Sequence, residues 1–277
     1  MLYLILAIVA SMLISIVMRL SENYSRNNLP KLAVNYVMCC LLSLVFSGTT
    51  TFFPAHEGLP LTLLLGVICG VLYLVNFLLL QWNIQRNGVV LSSTFMKLGV
   101  LVPTLFSIVV FGETPKAVQI AGIFLALAAI VLMQGGTTAR GASTLGLLTL
   151  LVLGGSADCM SKIYEEIGSP DLQNQFLLYT FGTALLLCVV LCLYKKQKLS
   201  FQDCLWGLGI GIPNYFSARF LLLSLETVPA VIVFPSFSVG TIVLVTLVGM
   251  LCFKERLTTR KWIALGIILG ALVLLNL

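Results

Sequence analysis

The sequence predicts an all-α integral membrane protein with ten transmembrane helices, arranged as two inverted five-helix repeats. Three observations support this fold class. The chain has 277 residues, of which 59% are hydrophobic and only 9% are charged, whereas soluble domains are about 25% charged. The apolar residues form ten stretches that are long enough to cross a bilayer. The two halves of the chain also match each other at a nearly constant offset.

A helix needs about 20 mostly apolar residues to cross a hydrocarbon core of roughly 30 Å. Glycine, proline and asparagine interrupt the apolar stretches and indicate the connecting turns. The first stretch lacks the basic region and the small-residue cleavage site of a signal peptide, so we expect it to remain in the protein. The predicted helices cover residues 1–20, 31–48, 60–82, 88–111, 117–134, 143–163, 172–194, 204–224, 229–253 and 259–277.

Lysine and arginine are distributed unevenly between the loops. The odd-numbered loops hold twelve of these residues, whereas the even-numbered loops hold only Lys116 and Lys162. Because basic residues stay on the cytoplasmic side, the odd-numbered loops are predicted to be cytoplasmic and both chain ends external. Lys162 lies close enough to a helix end for its ammonium to reach water. We expect a multi-pass protein of the bacterial cytoplasmic (inner) membrane.

The second half of the chain aligns with the first after a shift of 143 positions, and Tyr36 then meets Tyr179. A repeat of five helices ends on the side opposite to its beginning, so the second copy has to insert upside down. Inverted repeats of this kind are typical of secondary transporters that bind substrate near the midplane. We therefore predict repeats at 1–134 and 143–277, joined by a linker at 135–142.

Three charged residues lie far from the ends of the predicted helices, and a charge at mid-membrane costs roughly 2.5–3.5 kcal/mol on insertion scales. Lys97 is roughly 14 Å into its helix, near the midplane, and its repeat mate is Val239. An ammonium at this depth predicts a site for a carboxylate or phosphate, or a proton carrier. The structural alternative is a lysine that binds backbone carbonyls freed near Pro103.

Asp158 and Arg219 are both predicted in the outer third of the membrane, roughly 22 Å along their helices. We expect them to form an ion pair that closes the extracellular side, and a purely structural pair is the alternative. Their repeat mates are Ser15 and Asn76, which fall in the inner third. Because a neutral Ser–Asn contact is weaker than an ion pair, we expect a carrier that prefers a closed outer face when empty.

Aromatic and amide side chains complete the predicted site, since small-molecule sites usually combine apolar walls with a few polar groups. Simple helix packing is the alternative for each of them. The predicted substrate-binding residues are Lys97, Tyr36, Tyr179, Phe95, Phe237, Asn214 and Tyr215.

Other functional classes find little support in the sequence. The eight cysteines form no Cys-x-x-Cys pair and there is one histidine, so we predict no metal, no catalytic residue and no cofactor. An intramembrane enzyme would need a nucleophile–base pair or a second acid near Asp158. Basic residues in short loops do not indicate nucleic acid. The expected partners are a small-molecule substrate and the lipid bilayer, and Gly266-x-x-x-Gly270 is compatible with a monomer or a homodimer.

Two corresponding stretches carry a family resemblance. One runs from Asn83 to Phe111-Gly112-Glu113, and the other runs from Glu226 to Phe253-Lys254-Glu255-Arg256-Leu257. They resemble the drug/metabolite transporter superfamily, specifically its EamA-type members with ten helices, over essentially the whole chain. The resemblance implies a carrier of metabolites, amino acids or drugs, with helices 1, 3, 4, 6, 8 and 9 around a central cavity.

The charge at the midplane indicates which class of substrate the protein carries. Proton-coupled multidrug exporters usually hold a buried acid that binds cations, whereas the midplane charge here is the ammonium of Lys97. We therefore expect a secondary transporter that moves a small carboxylate or zwitterion, such as an amino acid, by alternating access. A proton-coupled exporter of cationic or neutral compounds is the first alternative, and an intramembrane enzyme is the alternative from another class.

Overall fold

The computed structural model describes residues 1–21, 28–47, 52–87, 89–134, 143–253, 258–275 and 277, and within these ranges it contains helices and turns but no β-strand. The all-α fold class is therefore confirmed. A short 3₁₀ turn at Pro170–Leu172 precedes α8. The α-helices are α1 (Leu2–Ser21), α2 (Asn28–Ser47), α3 (Leu59–Asn87), α4 (Val89–Leu98), α5 (Leu101–Val110), α6 (Ala117–Gln134), α7 (Thr144–Ile167), α8 (Gln173–Tyr194), α9 (Phe201–Leu225), α10 (Ala230–Phe253) and α11 (Thr259–Leu275).

The helices agree in order and position with the predicted membrane segments. Among the described residues, seven helices are long and apolar enough to cross a membrane. Three shorter apolar stretches lie at Phe95–Val110, Ala117–Leu132 and Trp262–Leu275. Together these correspond to the ten segments predicted from the sequence.

The fourth predicted segment, 88–111, contains two consecutive helices, α4 and α5, and its apolar stretch Phe95–Val110 continues through both. α4 ends at Leu98 and α5 begins at Leu101, with a tight turn at Gly99 and Val100 between them. Glycine is a weak helix former, and Pro103 has no N–H to donate to the carbonyl of Gly99. That carbonyl instead accepts from Val102 N at 2.9 Å, which tightens the backbone locally.

Contacts divide the chain into two compact units. The first unit contains residues 75–162 and 224–277 with Met1, and the second unit contains residues 2–74 and 163–223. Each unit takes helices from both predicted repeats. The predicted linker at 135–142 lies outside the described residues, and the repeat boundaries stay a prediction.

In the first unit, α6 packs against α11, its mate in the repeat. The Lys116 ammonium, just before α6, donates to the carbonyl of Leu277, just after α11, at 2.8 Å. Further along, Gly122 faces Leu275, and Gly270 faces Leu125. The two helices are therefore antiparallel, as inverted repeats require.

In the second unit, α2 packs against its repeat mate α8 in the same manner. The Cys188 thiol donates to the carbonyl of Leu29 at 3.4 Å, and the Asn174 amide donates to the carbonyl of Phe46 at 2.8 Å. The beginning of α2 thus lies beside the end of α8, and the end of α2 beside its beginning. This pair is also antiparallel.

Glycine pairs at four-residue spacing let helices of the second unit approach closely, as small residues do in membranes. A methyl group on Gly66 of α3 would lie 3.2 Å from the carbonyl oxygen of Phe176 in α8. A methyl group on Gly211 of α9 would lie 2.7 Å from the carbonyl oxygen of Asn35 in α2. By contrast, a methyl group on Gly266 would meet no described atom within 4 Å.

Candidate functional site

The first unit brings Lys97 and Asp158 together. Lys97 lies in the last turn of α4 and Asp158 in the second half of α7. The two groups interact electrostatically, and among the described residues no contact ion pair joins them. Both residues are partly exposed. Because the carbonyl end of a helix carries partial negative charge, the end of α4 also favours the ammonium of Lys97.

A contact between two glycines brings together the backbone segments that carry these charges. A methyl group on Gly99, in the turn between α4 and α5, would lie 3.0 Å from the backbone nitrogen of Gly155 in α7. Lys97 comes two residues before Gly99 and Asp158 three residues after Gly155. The helix break and the close approach of α7 therefore build this charged site together.

The charged site is present in only one of the two repeats. The repeat mate of Lys97 is Val239, which is fully buried in the apolar core formed by α6, α10 and α11. The repeat mate of Asp158 is Ser15, whose hydroxyl donates to the carbonyl of Ser11 at 3.2 Å. Helix packing in this scaffold therefore has no general need for charges at these positions.

Arg219, in the second unit, is held by aromatic and hydroxyl groups. Its guanidinium donates to the Tyr215 hydroxyl at 2.8 Å and lies 4.7 Å from the centre of the Phe46 ring. The Tyr215 hydroxyl in turn donates to the Asn174 amide oxygen at 3.1 Å. Asp158 belongs to the first unit, so the predicted Asp158–Arg219 ion pair joins residues of different units and stays a prediction.

Asn214 takes part in a buried polar contact between α9 and α2. Its amide donates to the Asn35 amide oxygen at 3.2 Å and lies 3.6 Å from the Cys39 sulfur. Asn35 and Cys39 are buried. Asn214 was a predicted site residue and Asn35 was not, although an asparagine inside an apolar segment is itself a signal for a polar contact.

The predicted tyrosine pair occupies two different environments. Tyr36 is buried, and its ring stacks on Phe181 with 6.2 Å between ring centres. Tyr179 reaches the segment between α2 and α3, where its hydroxyl donates to the carbonyl of Phe52 at 2.6 Å and its ring stacks on Phe53. Repeat mates in sequence are therefore not equivalent in their contacts.

The remaining predicted residues lie in the first unit. Phe95 of α4 and Phe237 of α10 are partly buried. Asn76 of α3 is buried, and its amide oxygen accepts no hydrogen bond from the described residues. Its predicted contact with Ser15 joins residues of different units and stays a prediction.

Glu113 forms a cluster that sequence reasoning missed. Its two carboxylate oxygens accept from the backbone N–H groups of Ala230 and Val231, each at 3.0 Å, at the beginning of α10. The Lys162 ammonium lies 3.2 Å from the same carboxylate. The side chain of Lys162 is only 5% exposed, so the expectation that its ammonium reaches water was wrong. Gly112 turns the chain into this position with a φ of 66°.

No group of three or more potential metal ligands occurs among the residues that the structure describes. All eight cysteines are free, without a disulfide between them.

These features define a multi-pass α-helical membrane protein. The EamA-like transporter family matches residues 1–134 and again residues 141–277. The chain therefore belongs to the EamA-like transporter family, and the family predicted from its motifs is confirmed. Members of this family are membrane transporters of small molecules.

Two further comparisons identify proteins that are similar over nearly the whole chain. An uncharacterized protein of Haemophilus influenzae is 23% identical over 283 residues, which cover 97% of this chain and 95% of that protein. A solved crystal structure superposes with a TM-score of 0.78 at 14% identity, covering 99% of this chain and 94% of that one. At this low identity, the second likeness concerns the fold alone.

Proposed function

We propose that the protein is a secondary carrier of a small zwitterion or carboxylate, such as an amino acid, working by alternating access in a bacterial inner membrane. The observation that carries this proposal is the close approach of Gly99 and Gly155, which brings together the helix segments that carry Lys97 and Asp158. Lys97 offers a cation to a carboxylate, and Asp158 offers an anion to an ammonium group. Among the described residues, Lys97 and Asp158 do not form a contact ion pair. A zwitterion that binds between them would therefore pair with both charges.

Export of cationic compounds driven by protons is the second candidate. The carboxyl group of Asp158 favours it, since an acid inside the membrane binds either a proton or a cation. The two candidates differ in their use of Lys97. A zwitterion carrier needs both charges, whereas an exporter of cations needs only Asp158.

Ligand binding to the purified protein tests the proposal. We expect amino acids and related zwitterions to raise the unfolding temperature of the wild type, because a ligand at 100 times its Kd stabilises the native state by about 2.7 kcal/mol. Lys97→Met is expected to lose this response. The matched control is Lys198→Met, which removes an exposed lysine after α8. A response that survives in Lys97→Met, or that only cations produce, would count against the zwitterion site.

The outer gate of Asp158 and Arg219 is a separate proposal with its own test. Neutralising Arg219 to glutamine is expected to increase labelling of external cysteine probes and to slow transport. Arg219→Lys is the matched control because it keeps the charge while it loses the planar stacking on Phe46. Unchanged labelling and transport in Arg219→Gln would rule the gate out.

A further inference from the structure

An apolar groove of about 530 Å³ lies between α3 and α7 in the first unit. Its walls include Val75, Leu78 and Leu79 of α3 and Leu145 of α7. Leu145 is 77% exposed, so the groove opens on the outside of the unit. Volumes of 300–1,000 Å³ are typical of small-molecule sites.

An aromatic group lines this groove, and a cationic group lies beside that aromatic ring. The Trp82 ring lines the groove, and the Arg86 guanidinium lies 4.7 Å from the centre of that ring. The apolar part of α3 spans Leu59–Leu80, so both residues lie just beyond it. Tryptophan and arginine at this level are typical of the membrane–water interface. The arrangement thus places an apolar channel next to an interfacial cation.

Hydrogen bonds hold the two walls in a fixed position. The buried Asn83 amide donates to the carbonyl of Gly146 at 3.1 Å, and the Asn87 amide donates to the Asn83 oxygen at 2.7 Å. The backbone nitrogen of Ser143 donates to the Asn87 oxygen at 2.7 Å. Gly146 has no side chain in the space that the Trp82 ring occupies. These hydrogen bonds therefore connect the end of α3 to the beginning of α7 and fix the position of the groove walls.

We propose that this groove binds one anionic phospholipid, with an acyl chain along the α3–α7 walls and the phosphate on Arg86. The loop after α3 is predicted to be cytoplasmic, and the cytoplasmic leaflet is the one rich in anionic lipids. A basic residue near this surface contributes about 1 kcal/mol to lipid binding, which corresponds to about a fivefold preference for an anionic headgroup. This site is distinct from Lys97 and Asp158 and does not depend on the proposed substrate.

Quenching of Trp82 fluorescence by brominated lipids tests the proposal. The variant Trp206→Phe with Trp262→Phe keeps Trp82 as the single tryptophan of the chain. It is placed in vesicles that contain either brominated phosphatidylglycerol in plain phosphatidylcholine or brominated phosphatidylcholine in plain phosphatidylglycerol. At equal mole fractions, phosphatidylglycerol is expected to associate about five times more strongly with the Trp82 site.

Two further substitutions locate the headgroup and the chain. Arg86→Gln is expected to remove the preference for phosphatidylglycerol, and Leu145→Phe, which narrows the groove at an exposed position, is expected to reduce quenching by both lipids. A variant that keeps Trp206 as its single tryptophan is the control. If the double tryptophan variant does not fold, mass spectrometry of the wild type is expected to show retained phosphatidylglycerol that Arg86→Gln loses. If both lipids associate equally and Arg86→Gln has no effect, the proposal is overturned. The groove would then be a surface that contacts bulk lipid without selecting a headgroup.

Discussion

Asp158→Asn is expected to reduce uptake of a zwitterionic substrate into proteoliposomes by at least about 25-fold. The loss of one partner from a charged contact with a bound ligand costs about 2–5 kcal/mol, and each 1.4 kcal/mol changes an affinity about tenfold. Lys97 interacts electrostatically with Asp158, and a substitution of Asp158 leaves this ammonium without its acidic counterpart at the site. Asp171→Asn, which makes the same change at an exposed acid, is the matched control.

Comparing uptake by Asp158→Asn with uptake by Lys97→Met distinguishes a zwitterion carrier from an exporter of cations. If both variants lose uptake and both remain folded, the site requires a cation and an anion, as a zwitterion carrier does. If only Asp158→Asn loses transport, proton-coupled export of cations is the better explanation. Uptake within twofold of the wild type in Asp158→Asn would remove Asp158 from the site altogether.

The positions of the membrane helices could be predicted because each needs only a local run of apolar residues. The break at Gly99 could not be predicted in the same way. Glycine is common inside membrane helices, and what stabilises this break is the contact with Gly155, more than fifty residues later in the chain. Tertiary contacts of this kind leave no periodic signal in the sequence.

The charged residues of the site were also visible as isolated charges within apolar runs, but their partners were not. Helix rise gives the depth of Asp158 and Arg219 in the membrane, and it does not give the direction in which each side chain points. The same arithmetic therefore missed the interaction of Asp158 with Lys97 and the stacking of Arg219 on Phe46. The depth of a charged residue in the membrane identifies it as a candidate site residue, whereas helix packing determines which candidates contact each other.

Lys162 illustrates the same limit near a helix end. A lysine there is expected to extend towards water, and the nearest acids in the sequence are Asp158, Glu165 and Glu166. In the folded chain its partner is Glu113, which follows α5. The carboxylate of Glu113 also binds the beginning of α10, so a single side chain connects three helices that are far apart in sequence.

Glu113→Ala is expected to lower the free energy of unfolding by about 3 kcal/mol. Removal of one partner from a buried ion pair costs about 3–5 kcal/mol, and partial exposure of Glu113 reduces this cost. The substitution also takes the acceptors away from the N–H groups of Ala230 and Val231. The measurement is the unfolding of purified protein in detergent. Glu113→Gln keeps an acceptor for α10 but loses the charge, so its loss of stability is expected to be intermediate.

A double-mutant cycle separates the ion pair from the helix cap. Lys162→Met together with Glu113→Ala is expected to cost less than the sum of the two single changes, because neither charge is then left behind. Additive effects would show that the contact contributes nothing.

The Glu113 contact also has an expected effect on transport, since Lys162 follows Asp158 by four residues and lies one turn further along the same face of α7. Loss of the Glu113 contact is therefore expected to raise the KM for substrate, because the helix segment that carries Asp158 is then held less firmly. If Glu113→Ala is destabilised but keeps the wild-type KM, the two sites act independently.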